Sequence, residues 1–215
     1  MLSDDSQLQV FLNLFKLGTE LNYKKNEYII RPGESPNFVY YIEEGLVKAF
    51  NISKYGEENL LIFRKPNEIF PLIWAVTGKG RSIIYQALKP TKVYRLTRET
   101  FIQHLKDKPE SMYPFIDLVI NQYRIQSERV LNLEYRSVRT RLASFILTMS
   151  LRFGKTIDNG TLVDVPLIQQ DIASSINASR ETTSRELGIL ERRKLILLSQ
   201  GTITILDKEG LKKLL

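Results

Sequence analysis

The residues best suited to recognise a ligand stand close together near the end of the chain. They are Ser179, Arg180, Glu181, Thr182, Ser184 and Arg185. An arginine guanidinium donates two parallel hydrogen bonds that match guanine O6 and N7, and a glutamate carboxylate accepts one from the cytosine amino group. Hydroxyl groups bind phosphate oxygens, which is the role predicted for Thr182. On an ordinary exposed helix such charges would form ion pairs between successive turns, so the flanking elements decide the interpretation.

Those flanking elements predict a helix-turn-helix motif. Residues 168–175 are expected to form a first helix, and Asn177 tolerates the left-handed backbone of a tight turn. Ser179 then caps a second helix that ends near Glu191. The inward-facing residues are predicted to be Ile172, Ala173, Ile176, Leu187 and Leu190. In this motif the first two turns of the second helix enter the major groove of DNA, and the polar residues above occupy those turns.

A β-hairpin is predicted directly after the second helix. Two β-rich runs in KLILLSQGTITIL flank the turn sequence Ser199-Gln200-Gly201, so this segment is expected to form a wing. Arg192, Arg193 and Lys194 lie between helix and wing and are expected to face phosphate. Such contacts add affinity and salt dependence but carry no sequence information.

A long helix is predicted earlier in the chain, from about Glu110 to Tyr135. Its apolar stripe consists of Phe115, Leu118, Val119, Ile125, Val130 and Leu133, and is broken by Gln122 and Gln126. A helix of this length commonly pairs across a two-fold axis, so a homodimer is expected. The alternative is a core helix packed on the N-terminal strands. A further helix, Val138 to Phe153, follows it, with Gly154 as its stop.

The first half of the chain has the texture of a small β-domain. An amphipathic helix over residues 5–15 precedes short runs rich in Ile, Val, Tyr and Phe between Tyr28 and Thr97. Turns containing Gly33, Gly45 and Gly56 separate several of these runs. Strands at this interval argue for an antiparallel barrel or jelly roll. A second short helix, capped by Thr97 or Thr100, is expected to follow.

The predicted fold class is therefore α+β. An N-terminal antiparallel β-roll sensor domain is expected over residues 1–108, a dimerisation helix and hinge over 109–137, and a winged helix-turn-helix over 138–215. Net charge is +7, and residues 136–215 hold 13 Lys and Arg against 8 Asp and Glu. This concentration of positive charge favours a polyanion as partner.

Composition excludes several other classes of protein. The chain has no cysteine, which removes disulfides, iron–sulfur clusters and cysteine redox sensing. The only histidine is His104, so neither haem ligation nor the clustered ligands of a cupin-type metal enzyme are expected. The sequence contains no apolar run long enough for a membrane span, and MLSDDSQLQV lacks the basic start of a secretory signal. A cytoplasmic protein is expected.

With these motifs in this order, the sequence resembles the cyclic-AMP receptor protein / fumarate–nitrate regulator (Crp/Fnr) family of bacterial transcription factors. The run Ser179-Arg180-Glu181-Thr182, with Arg185, looks like that family's recognition helix, and NLEYRSVRTRLASFIL resembles its hinge and first DNA-domain helix. The resemblance implies a homodimer that reads a palindromic, double-stranded DNA site with TGTGA-like half-sites and contacts RNA polymerase. Thr183 and Glu186 stand where members often carry aliphatic residues, so helix packing is expected to differ there.

The resemblance also indicates a sensor site. Members that bind cyclic nucleotides hold the cyclic phosphate with an Arg-Ser pair, matched here by Arg81-Ser82, and the ribose with a Gly-Glu pair. Pro71-Leu72 stands in place of that second pair, and a buried ribose hydroxyl left unpaired costs about 1–3 kcal/mol. Cyclic AMP is therefore disfavoured. The nitrogen regulator of cyanobacteria in this family also lacks the Gly-Glu pair and senses 2-oxoglutarate, so a 2-oxoglutarate-like anion held by Arg81 is the preferred effector.

The candidate effector residues are Phe70, Leu72, Ile73, Arg81, Ser82, Gln126 and Ser127. Gln126 and Ser127 match positions that reach toward the pocket in such members. One alternative stays open: Arg81 is a solvated turn residue, apolar side chains fill the pocket, and the regulator is constitutive. The chain is not expected to be an enzyme, so a cupin-type enzyme is only a minor alternative. A module that regulates a protein partner is the remaining alternative.

Overall fold

The computed structural model of the chain describes residues 5–215, with side chains for residues 10–134 and 136–215. The described chain divides into two compact units. The first comprises residues up to Ile52 together with Leu61–Arg124, and the second comprises Ser53–Leu60 together with Ile125–Leu215. None of the described helices combines the length and apolar character that a membrane span requires.

The strands between residues 19 and 96 confirm the predicted antiparallel β-region. They are β1 (Thr19–Tyr23), β2 (Tyr28–Ile30), β3 (Val39–Glu44), β4 (Val47–Ile52), β5 (Glu58–Arg64), β6 (Ile69–Phe70), β7 (Ile84–Ala87) and β8 (Thr91–Leu96). Over the described residues they form two four-stranded sheets, in the orders β1-β8-β3-β6 and β2-β7-β4-β5. The sequence does not predict β1, because most of this strand is exposed and lacks the alternating apolar pattern of a half-buried strand.

The three predicted turn glycines all have positive φ, which side chains disfavour. The φ angles are 79° at Gly33, 103° at Gly45 and 82° at Gly56. Gly45 is restricted further, because a Cβ atom there would collide with Thr91 of β8. The Thr91 hydroxyl also accepts a hydrogen bond from the backbone amide of Leu46 at 3.3 Å. At Gly45 the turn between β3 and β4 therefore packs too closely on β8 to accommodate a side chain.

Helices cover one side of the first unit. They are α1 (Asp5–Phe15), α2 (Leu72–Thr77) and α3 (Arg98–Asp107), followed by a 3-10 turn at Pro109–Ser111. The predicted bounds of α1 are confirmed, and Phe11 and Phe15 of its apolar face are fully buried. Leu8 of that face lies outside the residues whose side chains are described. The cap of α3 is Thr97, whose side chain accepts from the amide of Thr100.

The long helix α4 (Met112–Tyr135) is present, but the prediction of one apolar stripe along it was wrong. Phe115 is buried in the core of the first unit, and Leu118 packs against that core. Val119 and Val130 are 39% and 60% exposed. The reason is that α4 buries one face within its own chain and leaves a second apolar face open.

The second unit contains the C-terminal helices and a third sheet. Its elements are α5 (Val138–Phe153), β9 (Gly154–Ile157), β10 (Gly160–Val163), α6 (Gln169–Ser175), α7 (Arg180–Arg192), β11 (Ile196–Ser199), β12 (Thr202–Ile205) and α8 (Lys208–Lys212). The strand order is β11-β12-β10-β9. Helix α5 ends at Phe153 as predicted. Gly154 is extended, with φ −72°, and is the first residue of β9, a strand that the sequence does not predict.

Candidate nucleic-acid interface

Helices α6 and α7 form the predicted helix-turn-helix. Asn177 in the turn has φ 49°, which confirms its predicted left-handed conformation. Ser179 is the N-cap of α7, and its hydroxyl oxygen accepts a hydrogen bond from the backbone amide of Thr182 at 3.1 Å. Local residue choice therefore sets both the bend of the chain and the starting point of the second helix.

One side of the motif is buried, as predicted. The residues concerned, each at most 2% exposed, are Ile172, Ala173, Ile176, Leu187 and Leu190. They direct this side of α7 toward α5 and α6. Because a helix turns about 100° per residue, burial of Leu187 and Leu190 leaves the opposite side of α7 exposed.

Two arginines of α5 hold the motif in place. Arg141 donates hydrogen bonds to the carbonyl oxygens of Ile176 at 2.7 Å and Asn177 at 3.1 Å, both in the turn. Its guanidinium also donates to the carbonyl of Arg136 at 2.9 Å. Arg139 donates from Nε to a carboxylate oxygen of Glu186 on α7 at 2.7 Å. Helix α5 thus contacts both the turn and the second helix of the motif.

The exposed side of α7 lines an open groove of about 540 Å³. The groove residues are Gln169, Arg180, Glu181, Ser184, Arg185, Gly188 and Arg192. Three arginines against one glutamate give the groove a positive charge. Gly188 adds no side chain, so the groove stays open along the helix. Five of the eight predicted DNA-contacting residues are therefore brought together here.

Hydrogen bonds at the start of α7 favour the ionised form of Glu181, the single carboxylate of the groove. A hydrogen bond from its own backbone amide lowers the pKa of Glu181, and the Ser179 hydroxyl and the Arg180 charge lower it further. An ionised carboxylate is a hydrogen-bond acceptor only, which suits a cytosine amino group. Ser179 is exposed at the start of α7, and Thr182 is half-buried one turn later.

The predicted hairpin is present as β11 and β12. Gln200 and Gly201 in its turn have φ 45° and 79°, so both adopt the left-handed conformation typical of a two-residue hairpin turn. Arg192 and Arg193 are exposed at the end of α7, and Lys194 is exposed in the connection to β11. Arg192 belongs to the groove, whereas Arg193 is not among its lining residues.

The predicted effector residues of the first unit differ sharply in their surroundings. Phe70 is fully buried, and its ring stacks on Tyr40 at 5.2 Å and on Tyr85 at 4.6 Å between centroids. Leu72 packs against the core formed by α1, β3 and α3. Ile73 is 49% exposed, and Arg81 and Ser82 are exposed in the segment between α2 and β7.

The remaining predicted effector residues belong to the second unit. Gln126 is exposed and Ser127 half-buried, both on α4. Their role toward an effector stays a prediction. Among the residues whose side chains are described, no group of three or more His, Cys, Asp or Glu is placed to hold a metal ion. His104 lies within hydrogen-bond distance of the Ser111 hydroxyl, with Nε2 and Oγ 3.0 Å apart.

The chain is similar to known protein families and to characterised relatives. The cyclic nucleotide-binding domain matches residues 20–108, and the Crp-like helix-turn-helix domain matches residues 140–214. The global nitrogen regulator of Nostoc sp. is 30% identical over 186 residues, which cover 85% of this chain and 83% of that protein. The chain belongs to the Crp/Fnr family. It is a transcription regulator with a helix-turn-helix DNA-binding domain, as predicted.

Other Crp/Fnr relatives agree with this assignment. The global nitrogen regulator of Synechocystis sp. is 29% identical over 199 residues, covering 88% of each chain. The structure of FixK2 from Bradyrhizobium japonicum superposes with a TM-score of 0.78 at 21% identity, over 92% of this chain and 96% of that one, and so shows the same fold. The relatives are regulators, which confirms the expectation that this chain is not an enzyme.

The two positions at which the resemblance predicts a departure from aliphatic residues are both buried, and both have hydrogen-bond partners. Thr183 is fully buried, and its hydroxyl donates to the carbonyl of Ser179 at 2.9 Å. Glu186 is 9% exposed and accepts from Arg139. Sequence reasoning identified these positions but not their partners.

Sequence reasoning also missed Gln169. It is the first residue of α6, and its amide nitrogen lies 3.5 Å from the Ser184 hydroxyl, at the edge of the groove. No local pattern marks Gln169, because it joins the groove only through the packing of α6 on α7.

Proposed function

We propose that this Crp/Fnr regulator binds a palindromic DNA site as a homodimer and reads TGTGA-like half-sites with the exposed side of α7. The single observation that carries the proposal is the open, positively charged groove in which Arg180, Glu181, Ser184 and Arg185 converge. Arg180 and Arg185 would donate to guanines, and Glu181 would accept from a cytosine amino group. Ser179, Thr182 and Arg193 would contact phosphates, and Arg192, at the end of the groove, would join them.

The open face of α4 supports pairing with a second copy of this chain. Side chains spaced alternately by three and four residues form a seam: Met112, Ile116, Val119, Tyr123, Gln126, Val130 and Leu133. Apart from half-buried Leu133, each of these residues is exposed. Apolar residues at this spacing, with Gln126 as the exception, are typical of a two-stranded coiled coil. Two copies related by a two-fold axis would match the symmetry of a palindromic site.

A small anionic effector, of the 2-oxoglutarate type, is proposed for the first unit. The match to a cyclic nucleotide-binding domain supports a small-molecule ligand, and exposed Arg81 offers a cation beside Ser82. A constitutive regulator is the second candidate. Burial of Phe70 between Tyr40 and Tyr85 favours it, because a fully buried ring stacked on two others offers no exposed surface to a ligand.

DNA binding by the purified protein tests the proposal. Fluorescence anisotropy at controlled salt would compare a palindromic TGTGA-type duplex with a scrambled one. Selective binding is expected, and Arg180→Ala is expected to cost about 1–3 kcal/mol on the cognate duplex and to weaken discrimination at one guanine. Arg193→Ala should instead weaken both duplexes alike and reduce the salt dependence.

One result would contradict the proposed base reading by α7. If Arg180→Ala leaves the preference for the TGTGA-type duplex unchanged, α7 does not read bases as assigned. Repeating the titration with 2-oxoglutarate and with cyclic AMP separates the effector candidates, since a constitutive regulator responds to neither. If wild type prefers neither duplex, random-site selection identifies its half-site.

RNA polymerase is proposed as a further partner, and the cytoplasm, where bacterial DNA lies, as the location.

A further inference from the structure

An ion pair joins the helix that reads bases, under the proposed function, to the helix that supports it. Arg139 is the second residue of α5, and Glu186 lies in the second turn of α7. The Nε–carboxylate distance is 2.7 Å, and the side chains are 40% and 12% exposed. Charge-assisted hydrogen bonds of this length restrain both partners in direction as well as distance.

The position of Glu186 on α7 makes this restraint relevant to the groove. Ser184 and Arg185 immediately precede Glu186 and face the groove, while Glu186 faces α5. Because side chains lie about 5–6 Å from a helix axis, rotating α7 by 10–20° moves its outer groups by roughly 1–2 Å. A displacement of that size breaks a hydrogen bond to a base edge. Fixing the direction of Glu186 therefore fixes the direction of Arg185.

The buried apolar residues of α7 do not supply the same restraint. Leu187 and Leu190 anchor the helix in the core, but apolar contacts have no preferred direction and tolerate small rotations. An ion pair with one partner 40% exposed contributes little net stability. Apolar residues in place of both partners, of which Glu186 is buried, are often neutral or stabilising. The effect of the pair lies in selecting one orientation.

We infer that Arg139 and Glu186 are positioning residues for base reading: their ion pair sets the rotation of α7 that directs Arg180 and Arg185 at the bases. This inference rests on the proposed function, because it concerns the accuracy of reading by α7. The proposed function assigns no DNA contact to either residue. We therefore expect the ion pair to affect discrimination between DNA sequences, and not stability or phosphate binding.

The test replaces the pair with apolar residues and measures three quantities. The double variant Arg139→Leu/Glu186→Leu is compared with wild type for melting temperature, for the affinity ratio between a selected and a scrambled duplex, and for the salt dependence of binding. The matched control is Lys155→Leu/Asp164→Leu, which removes another 2.7 Å ion pair of the same unit that does not line the groove.

The double variant is expected to melt at or above the wild-type temperature and to keep the wild-type salt dependence. Its affinity ratio should fall by between about fivefold and a hundredfold, the effect of misplacing one bidentate contact. The control should keep the wild-type ratio. An unchanged ratio in the double variant overturns the inference. If the affinity ratio is unchanged and the salt dependence is also weaker, Arg139 is a phosphate contact instead.

A second variant keeps the inference testable if the double variant does not fold. Glu186→Gln preserves an oxygen that accepts from Arg139 Nε, so it should retain most of the wild-type ratio, whereas Glu186→Leu should lose it. Equal loss in both variants overturns the inference. The proposed function fails separately, and the inference with it, if the wild-type protein shows no sequence preference in random-site selection.

Discussion

The rings of Phe70 and Tyr85 stack with their centroids 4.6 Å apart, and Phe70 is fully buried. Tyr40 stacks on the other face of Phe70 at 5.2 Å. Burial raises the pKa of Tyr85, and the neighbouring Arg64 partly offsets this by favouring the ionised phenol. The three rings thus form a packed layer between strands of the two sheets of the first unit.

Phe70→Ala is expected to destabilise the protein by about 3–5 kcal/mol, because it removes a buried aromatic ring and leaves a cavity between two others. Urea denaturation followed by circular dichroism would measure the change. Ile73→Ala, at a 49% exposed position two residues before Ala75, is the control and should change stability little. A loss below 1 kcal/mol for Phe70→Ala would mean that the stack is not a core element.

Arg141→Ala is expected to destabilise the second unit by about 1–3 kcal/mol. The substitution leaves the carbonyls of Ile176 and Asn177 without their charged donor. Thermal unfolding would measure the effect, with Arg193→Ala as a control that removes an exposed arginine from the same unit. Equal melting temperatures for the two variants would show that Arg141 does not stabilise the turn.

Charges on the α4 seam are expected to separate the proposed homodimer. In Val119→Glu/Val130→Glu, each new carboxylate would face its own copy across the two-fold axis, where like charges repel and apolar contact is lost. Sedimentation equilibrium should show a monomer at concentrations at which wild type is a dimer. Arg124→Glu introduces the same carboxylate beside the seam and should remain dimeric. A dimer that survives the double substitution would place the interface elsewhere.

His104 is expected to titrate below its ordinary pKa of about 6.5. Burial lowers the pKa of His104, and the positive charge of Lys108 lowers it further. The folded state therefore favours neutral imidazole. The resulting stability is fully present above pH 6.5 and is lost as the pH falls through the folded-state value. Because the chain has a single histidine, one imidazole signal in an NMR titration gives this pKa directly. A value at or above 6.5 contradicts the prediction.

The helix-turn-helix and its wing could be predicted from local sequence patterns. Asn177, Ser179 and Gly201 mark a turn, a cap and a hairpin through interactions within a few residues, so their effect can be read without the rest of the chain. The outward direction of Arg180 and Arg185 then follows from helical periodicity. Antiparallel strands and their turn glycines were predictable for the same local reason, although the polar strand β1 was not.

Contacts between residues far apart in the chain could not be predicted from such local patterns. Glu186 finds Arg139 47 positions earlier in the chain, Gln169 joins the groove through the packing of α6 on α7, and Phe70 is enclosed by rings from β3 and β7. The division of α4 into a buried and an open face likewise depends on what packs against it. Caps and turns are set by neighbouring residues. Burial and long-range pairing depend on how the helices and strands pack together, and no single stretch of sequence encodes that packing.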